Sequence, residues 1–174
     1  MRFRRGDAEF DRRESAESSA SFGGQSNMSS TEENKRIARR YPEEVATGRN
    51  VDLIDELETE DFVEHGPFGQ ETRGPKSDKE QMREFLAAFP DFEATVEDVI
   101  AEGDTVAMRV RLRGTHEGEF MGIEPTGRSF EVQNMVFTRI RDGKVAERWI
   151  QPDTFALMQQ LGVVELPAGE FRPE

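Results

Sequence analysis

Residues 129–150 read SFEVQNMVFTRIRDGKVAERWI, and their reading decides the fold class. Ser129–Arg141 is one long strand. It ends at Asp142-Gly143, the strongest hairpin signal in the chain, because a two-residue turn needs positive φ at both positions and this pair tolerates it. Lys144–Ile150 then returns as the last strand. Upstream, Thr105–Arg113 alternates clearly: Val106, Met108, Val110 and Leu112 point one way, and Ala107, Arg109, Arg111 and Arg113 the other. Glu102-Gly103-Asp104 joins it to the looser alternation of Phe92–Ala101. The C-terminal half is therefore four strands in two hairpins. Residues 114–127 form a loop carrying Gly118, Gly122, Pro125 and Gly127.

The N-terminal half has helical spacing instead. Ile37, Tyr41 and Val45 mark a helix over about 31–47, capped near Ser29–Thr31, with Pro42 inside the pattern to kink or split it. Asn50 caps a short helix, VDLIDELE. Phe62 and Val63 open a short extended segment that stops at Gly66-Pro67, and GQETRGP (69–75) is loop. Ser77 or Asp78 caps a third helix, about 78–88, with Met82, Phe85, Leu86 and Phe89 as its stripe and Pro90 as its stop. After Pro152, Asp153 or Thr154 caps a final helix that ends at Gly162. Helices first and strands after is the α+β arrangement. A curved sheet wrapped on helices encloses an apolar pocket, a common kind of small-molecule site.

Composition narrows the function. The 174 residues fit one domain. Residues 1–27 contain a Ser/Gly-rich stretch without hydrophobic period and read as a disordered extension. The domain then spans 28–165, and 166–174 are a tail without clear pattern. A net charge of -13 argues against nucleic acid and anionic lipid as partners. Four Lys against nineteen Arg on an acidic chain suggest a salt-rich host, with an ordinary acidic cytosolic protein as the alternative. Without Cys there is no thiol chemistry or Cys-ligated zinc, and two His make a His-rich metal site unpromising. No apolar run has the length of a membrane span, and the N-terminus lacks a secretory apolar core. A cytoplasmic enzyme or small-molecule binder remains.

The segments TEENKRIARRYPEEVATGRNVDLIDEL (31–57), DFVEH (61–65), GTHEGEFMGIEPTG (114–127) and RIRDGKVAERWIQPDTFALMQQLG (139–162), in this order and spacing, resemble the SnoaL-like polyketide cyclase (ester cyclase) family of the NTF2-like superfamily. The resemblance implies a cone-shaped α+β barrel, a curved antiparallel sheet wrapped on N-terminal helices, often assembled as a homodimer or larger. It implies an aldol-type ring closure on a small apolar carbonyl compound, with no metal and no organic cofactor. An Asp near the end of the last strand serves as general acid/base in the family, and Asp153 is the matching position. YPEE, with Pro42, departs from the usual first-helix pattern.

On this reading Asp153 and His65 are the catalytic candidates. One carboxyl can both take a proton beside a carbonyl and protonate the resulting alkoxide if an apolar wall raises its pKa. Asp after Pro and before a helix is equally a plain N-cap. His65, at a strand end, lines a pocket mouth or is satisfied by backbone. Trp149 is expected on the pocket wall or in the core, and His116 over the pocket or holding its loop. Gln133 and Asn134 point to opposite faces, so one faces inward; Met135 and Phe62 complete the substrate-binding candidates. The Arg109, Arg111, Arg113 row reads as a solvated face. The alternative function is a non-catalytic binding protein of the same fold. An epoxide hydrolase-like activity would need an Asp/Arg/Asp-type constellation in the pocket, and no spacing guarantees one.

Overall fold

The computed structural model describes residues 24–165. Helix α1 (Gly24–Arg40) continues into a π-helical turn, Tyr41–Thr47. The expected interruption at Pro42 takes this form: Pro42 has no N–H to give to the preceding turn, and the helix widens there. Gly48 N–H closes the wide turn on the Glu43 carbonyl at 3.0 Å. α1 starts four residues ahead of Met28, so the expected domain start falls inside a helix; the extension over 1–23 and the tail over 166–174 lie outside the described residues.

A 3-10 turn (Val51–Leu53) and the single turn α2 (Ile54–Leu57) lead into β1 (Glu58–His65). β2 (Glu71–Arg73) follows where the sequence reads as loop, and α3 (Gly74–Ala88) starts at Gly74-Pro75, not at Ser77 or Asp78. Pro at the start of a helix forfeits no hydrogen bond. Asp78 is therefore the fifth residue of α3, inside the helix, rather than its cap. The four later strands are present, β3 shifted by one residue and β4 and β6 each two residues longer than read: β3 (Glu93–Glu102), β4 (Thr105–Thr115), β5 (Ser129–Arg141) and β6 (Lys144–Pro152), followed by α4 (Thr154–Gln160). Asp142 and Gly143 both have positive φ (53° and 76°), as the hairpin requires.

The fold is α+β with a six-stranded sheet in the order β2-β1-β6-β5-β4-β3. Two features correct the expectation. The sheet is mixed, because β1 runs parallel to β6. It is also open, with β2 and β3 as its edges among the described residues, so it curves around the helices without closing into a barrel. Its inner face and the helices share the main core, in which Phe62, Phe89, Val106, Val110 and Leu161 are buried, and Val45, Leu53, Ile54 and Leu57 form a smaller cluster beside it. Arg109, Arg111 and Arg113 lie on the outer face, ion-paired with Glu93, Glu97, Asp98 and Glu131, as a solvated row should be.

The loop between β4 and β5 is pinned to the end of α3. The Ala88 carbonyl accepts from the N–H groups of Glu117 and Gly118 at 2.9 and 3.0 Å. A Cβ on Gly118 would sit 2.6 Å from the Ala87 carbonyl oxygen and 2.9 Å from Ala88 Cα. Both obstacles are backbone and cannot rotate away. Gly118→Ala is expected to cost about 1–3 kcal/mol, read as a lower urea midpoint at unchanged slope.

Candidate active site

A cavity of about 960 Å³ opens between the inner face of the sheet and the helices α1 and α3. Phe92, Met108, Val110, Val132 and Val136 give it apolar walls, and Pro67, Phe68 and Met121 lie around it on loops. Polar groups reach it from several elements, including Gln70, Glu84, Glu119 and Thr154. Asn134 and Thr138 come from β5, and Tyr41, Glu64, Asp78, Gln81 and Arg148 converge at one end. Thr138 is the cross-strand neighbour of Arg148, and Asn134 of Pro152. Four residues of strand separate the two levels, roughly 13 Å at ~3.3 Å per residue.

The convergent end is a buried ionic cluster. Arg148 Nε donates to Glu64 Oε2 at 2.6 Å, and its Nη2 donates to Asp78 Oδ2 at 3.0 Å. Glu58 Oε1 lies 3.4 Å from Nη1. Tyr41 Oη donates to Asp78 Oδ2 at 2.8 Å, and the guanidinium stacks over the Tyr41 ring at 3.6 Å. Gln81 Nε2 reaches Glu64 Oε1 at 3.4 Å. Arg148, Glu64, Asp78 and Glu58 are 3%, 4%, 2% and 1% exposed, so water screens none of these charges appreciably. Burial raises the Tyr41 hydroxyl well above its ordinary range, against the pull of Arg148, which keeps it a proton donor. Burial likewise pushes the Glu58 carboxyl up to about 9, against Arg148, with Asp78 and Glu64 adding to the rise.

The structure redistributes the residues expected to form the site. Asn134 is the inward amide: its Oδ1 accepts from Gln151 N–H at 3.1 Å, and it lines the cavity. Gln133 faces outward, donating to Glu97 at 3.2 Å, and Met135 is 47% exposed. Phe62 is fully buried under the cluster, its ring 4.9 Å from the guanidinium carbon of Arg148. His116 is buried and holds its loop, as Nδ1 accepts from Thr126 N–H at 3.3 Å and the ring stacks on Phe89. It does not line the cavity. His65 and Trp149 stack on each other at 5.1 Å on the outer face of the sheet, with His65 Nε2 2.9 Å from Glu147 Oε1. Neither reaches the cavity.

The placement of Trp149 has a local cause. Counting by two from Val145, which lines the cavity, puts Trp149 inside. The β5–β6 register shifts here: Arg139 faces Glu147 but Ile140 faces Val145, leaving Ala146 as an extra residue. A bulge of one residue reverses the phase of everything beyond it. Arg148, Ile150 and Pro152 therefore point in, and Trp149 points out.

Asp153 is the N-cap of α4. Its Oδ1 accepts from Ala156 N–H at 2.9 Å, and the residue is exposed. Its neighbours Pro152 and Thr154 line the cavity, but Asp153 does not. Asp153→Ala is expected to cost about 1 kcal/mol of stability and Asp153→Asn almost none, since Asn caps as well as Asp; thermal unfolding of the pair checks this.

Tyr41 is legible as part of the first helix's spacing, but the buried charges Glu58, Asp78 and Arg148 escape a sequence reading because charged residues are ordinarily assigned to the surface. Among the charged members Glu64 carries a signal: it lies two residues from Phe62 on a strand, hence on the same face.

The model of the SnoaL-like polyketide cyclase family matches residues 35–161. The chain is 31% identical over 132 residues to the aklanonic acid methyl ester cyclase DnrD of Streptomyces peucetius, covering 72% of this chain and 88% of that one. It is 33% identical over 123 residues to the nogalonic acid methyl ester cyclase of Streptomyces nogalater, covering 67% and 87%. Among solved structures, IdmH of Streptomyces antibioticus superposes with a TM-score of 0.66 at 34% identity, covering 75% of this chain and 99% of that one. A SnoaL-like structure from Jannaschia sp. CCS1 gives a TM-score of 0.72 at 26% identity, covering 78% and 95%.

Proposed function

The chain belongs to the SnoaL-like polyketide cyclase family, and from that premise we propose that it closes a ring in a small, largely apolar carbonyl compound by acid/base catalysis. The observation that carries this reading is the pairing of an apolar cavity with the Tyr41–Asp78–Arg148 end. The proposed substrate bears a carbonyl with an acidic C–H beside it and a second carbonyl within the same molecule. The methyl esters in the names of the two cyclases above have the chemical character this cavity suits.

Asp78 is the proposed base. It takes the proton from the carbon beside one carbonyl, and the resulting enolate carbon bonds to the second carbonyl carbon. The second oxygen becomes an alkoxide and receives a proton, which restores the carboxylate. Tyr41 spends its hydroxyl hydrogen on holding Asp78, and the Asn134 amide, at the other level of the cavity, is the proposed partner of a more distant oxygen of the substrate. Such a proton transfer needs only a carboxylate of suitable basicity, so the proposal takes no metal and no organic cofactor. Asp153, matched by family resemblance, remains the competing assignment.

Two assays test the proposal. The protein is mixed with aklanonic or nogalonic acid methyl ester, and chromatography follows a product of unchanged mass, as a ring closure gives. In parallel, deuterium uptake from heavy water into recovered ester reports proton removal alone. Product together with uptake supports the cyclase. Ester that binds and returns unchanged and undeuterated supports the alternative, a non-catalytic binding protein.

A further inference from the structure

Glu58 is a buried carboxylate that the ring-closing steps do not use. It starts β1 behind the cluster and does not line the cavity. Among the described residues, neither of its oxygens has a hydrogen-bond partner, nor does Nη1 of Arg148 beside it. The groups facing it are Arg148 from β6, Asp78 from α3, Glu64 from its own strand and Tyr41 from the π-helical turn. The nearest lysines are committed elsewhere. Lys144 Nζ donates to the backbone carbonyls of Asp55 and Glu58, and Lys79 pairs with Asp52 and Asp55.

One guanidinium thus stands among three buried carboxylates. Fully ionised, the group would hold two uncompensated negative charges, each costing several kcal/mol to keep from water. A proton on one carboxyl removes much of that cost. Glu64 and Asp78 each accept a charge-assisted hydrogen bond from Arg148, whereas Glu58 accepts none. The proton belongs on Glu58, where it also supplies the donor that its oxygens lack.

We infer that Glu58 is an un-ionised carboxylic acid at neutral pH, that it donates its hydrogen bond to Asp78, and that it thereby positions and tunes the carboxylate facing the cavity. Glu58 is a positioning residue, since it acts through Asp78. Its assignment to the catalytic pH profile rests on the proposed function; its protonation does not.

The linkage sign follows from the upward shift, from about 4.5 to about 9. Between those values the folded chain holds a proton that the unfolded chain has lost, so stability falls as pH rises through the window. Glu58→Gln keeps the shape and the donor but cannot ionise. It is expected to flatten that fall, measured as the difference in unfolding midpoint between variant and parent from mildly acidic to alkaline pH. Infrared spectra of the parent at neutral pH should contain the carbonyl stretch of a buried carboxylic acid, absent at alkaline pH and in Glu58→Gln. With ester as substrate, neutral-pH kcat/KM should stay within about threefold of the parent, and the alkaline change in rate should move or vanish.

Parallel stability curves with no carboxylic acid band overturn the inference. So does a Glu58→Gln variant that folds yet loses more than about thirtyfold in kcat/KM at neutral pH, because an ionised Glu58 would then be required. If Glu58→Gln does not fold, the infrared band of the parent and its loss at alkaline pH decide alone. A parent that shows the band and the stability slope but turns over no ester upholds the protonated Glu58 and sinks the cyclase.

Discussion

Asp78→Asn is expected to lower turnover of the probe esters about 10²–10⁴-fold while leaving a folded chain. The size is that of losing one positioned proton-transfer group, about 3–5 kcal/mol of barrier at ~1.4 kcal/mol per decade. The fold should survive because the amide oxygen of the variant side chain can still accept from Tyr41 and Arg148, which bond Asp78 at 2.8 and 3.0 Å. Charge also remains tolerable. Arg148 keeps Glu64 at 2.6 Å as an ionised partner, so no buried cation is left unpaired. The comparison with Asp153→Asn gives the result its meaning. Asp153 is exposed and already committed to the Ala156 N–H, so its amide should retain turnover within about threefold, against a factor of about 10² or more at Asp78. Steady-state rates of the three proteins, each checked by circular dichroism, separate the two assignments. If Asp153→Asn is dead and Asp78→Asn active, the acid/base role returns to the end of β6.

The strands from β3 to β6 were legible because two physical rules act there without competition. Side chains alternate on a pleated sheet, and Asp142-Gly143 and Gly103 supply the positive φ that tight turns demand. The N-terminal half was read less well, since its elements are set by tertiary context. β2 is three residues long, and Glu71–Arg73 becomes a strand only because β1 lies beside it. Its partner β1 joins the sheet parallel to β6, a pairing between residues more than 80 apart in the chain for which local pattern carries no information.

The site was the least legible part, for two reasons that Arg148 combines. A buried charge violates the rule by which cores are read from sequence. The bulge at Ala146 then reverses inside and outside for the last strand, so that the aromatic expected in the cavity, Trp149, exchanges faces with Arg148. The family resemblance did not repair this. It located the reactive end of the chain at β6 and α4, and the structure brings the cavity to Pro152 and Thr154 on either side of Asp153 while the carboxylate itself caps the helix. The carboxylate–Arg–carboxylate grouping that no spacing guaranteed is present, as Glu64, Arg148 and Asp78. It is assembled from β1, β6 and α3, with sequence separations of 84 and 70 residues.

Arg148→Met is expected to be the most destabilising single change in the cavity, by about 3–5 kcal/mol. Met fills much of the same volume and keeps an apolar contact with Tyr41 and Phe62, over which the guanidinium now lies at 3.6 and 4.9 Å. The loss is therefore electrostatic. Without the guanidinium, Glu64 and Asp78 are 4% and 2% exposed with no cation in contact among the described residues. Domains of this size are stable by only about 5–15 kcal/mol, so the variant should sit near its unfolding threshold at neutral pH. Two signatures identify the cause. The variant should regain stability as the pH falls and its buried carboxylates take up protons, the opposite of a simple packing defect, which is indifferent to pH. The triple variant Arg148→Met, Glu64→Gln, Asp78→Asn should recover most of the loss, because removing the charges together with their partner leaves polar groups but no unpaired ion. Urea unfolding of the parent and these variants at two pH values measures each contribution. A loss below about 1 kcal/mol for Arg148→Met, or no recovery in the triple variant, would mean that the cluster does not hold this end of the cavity together.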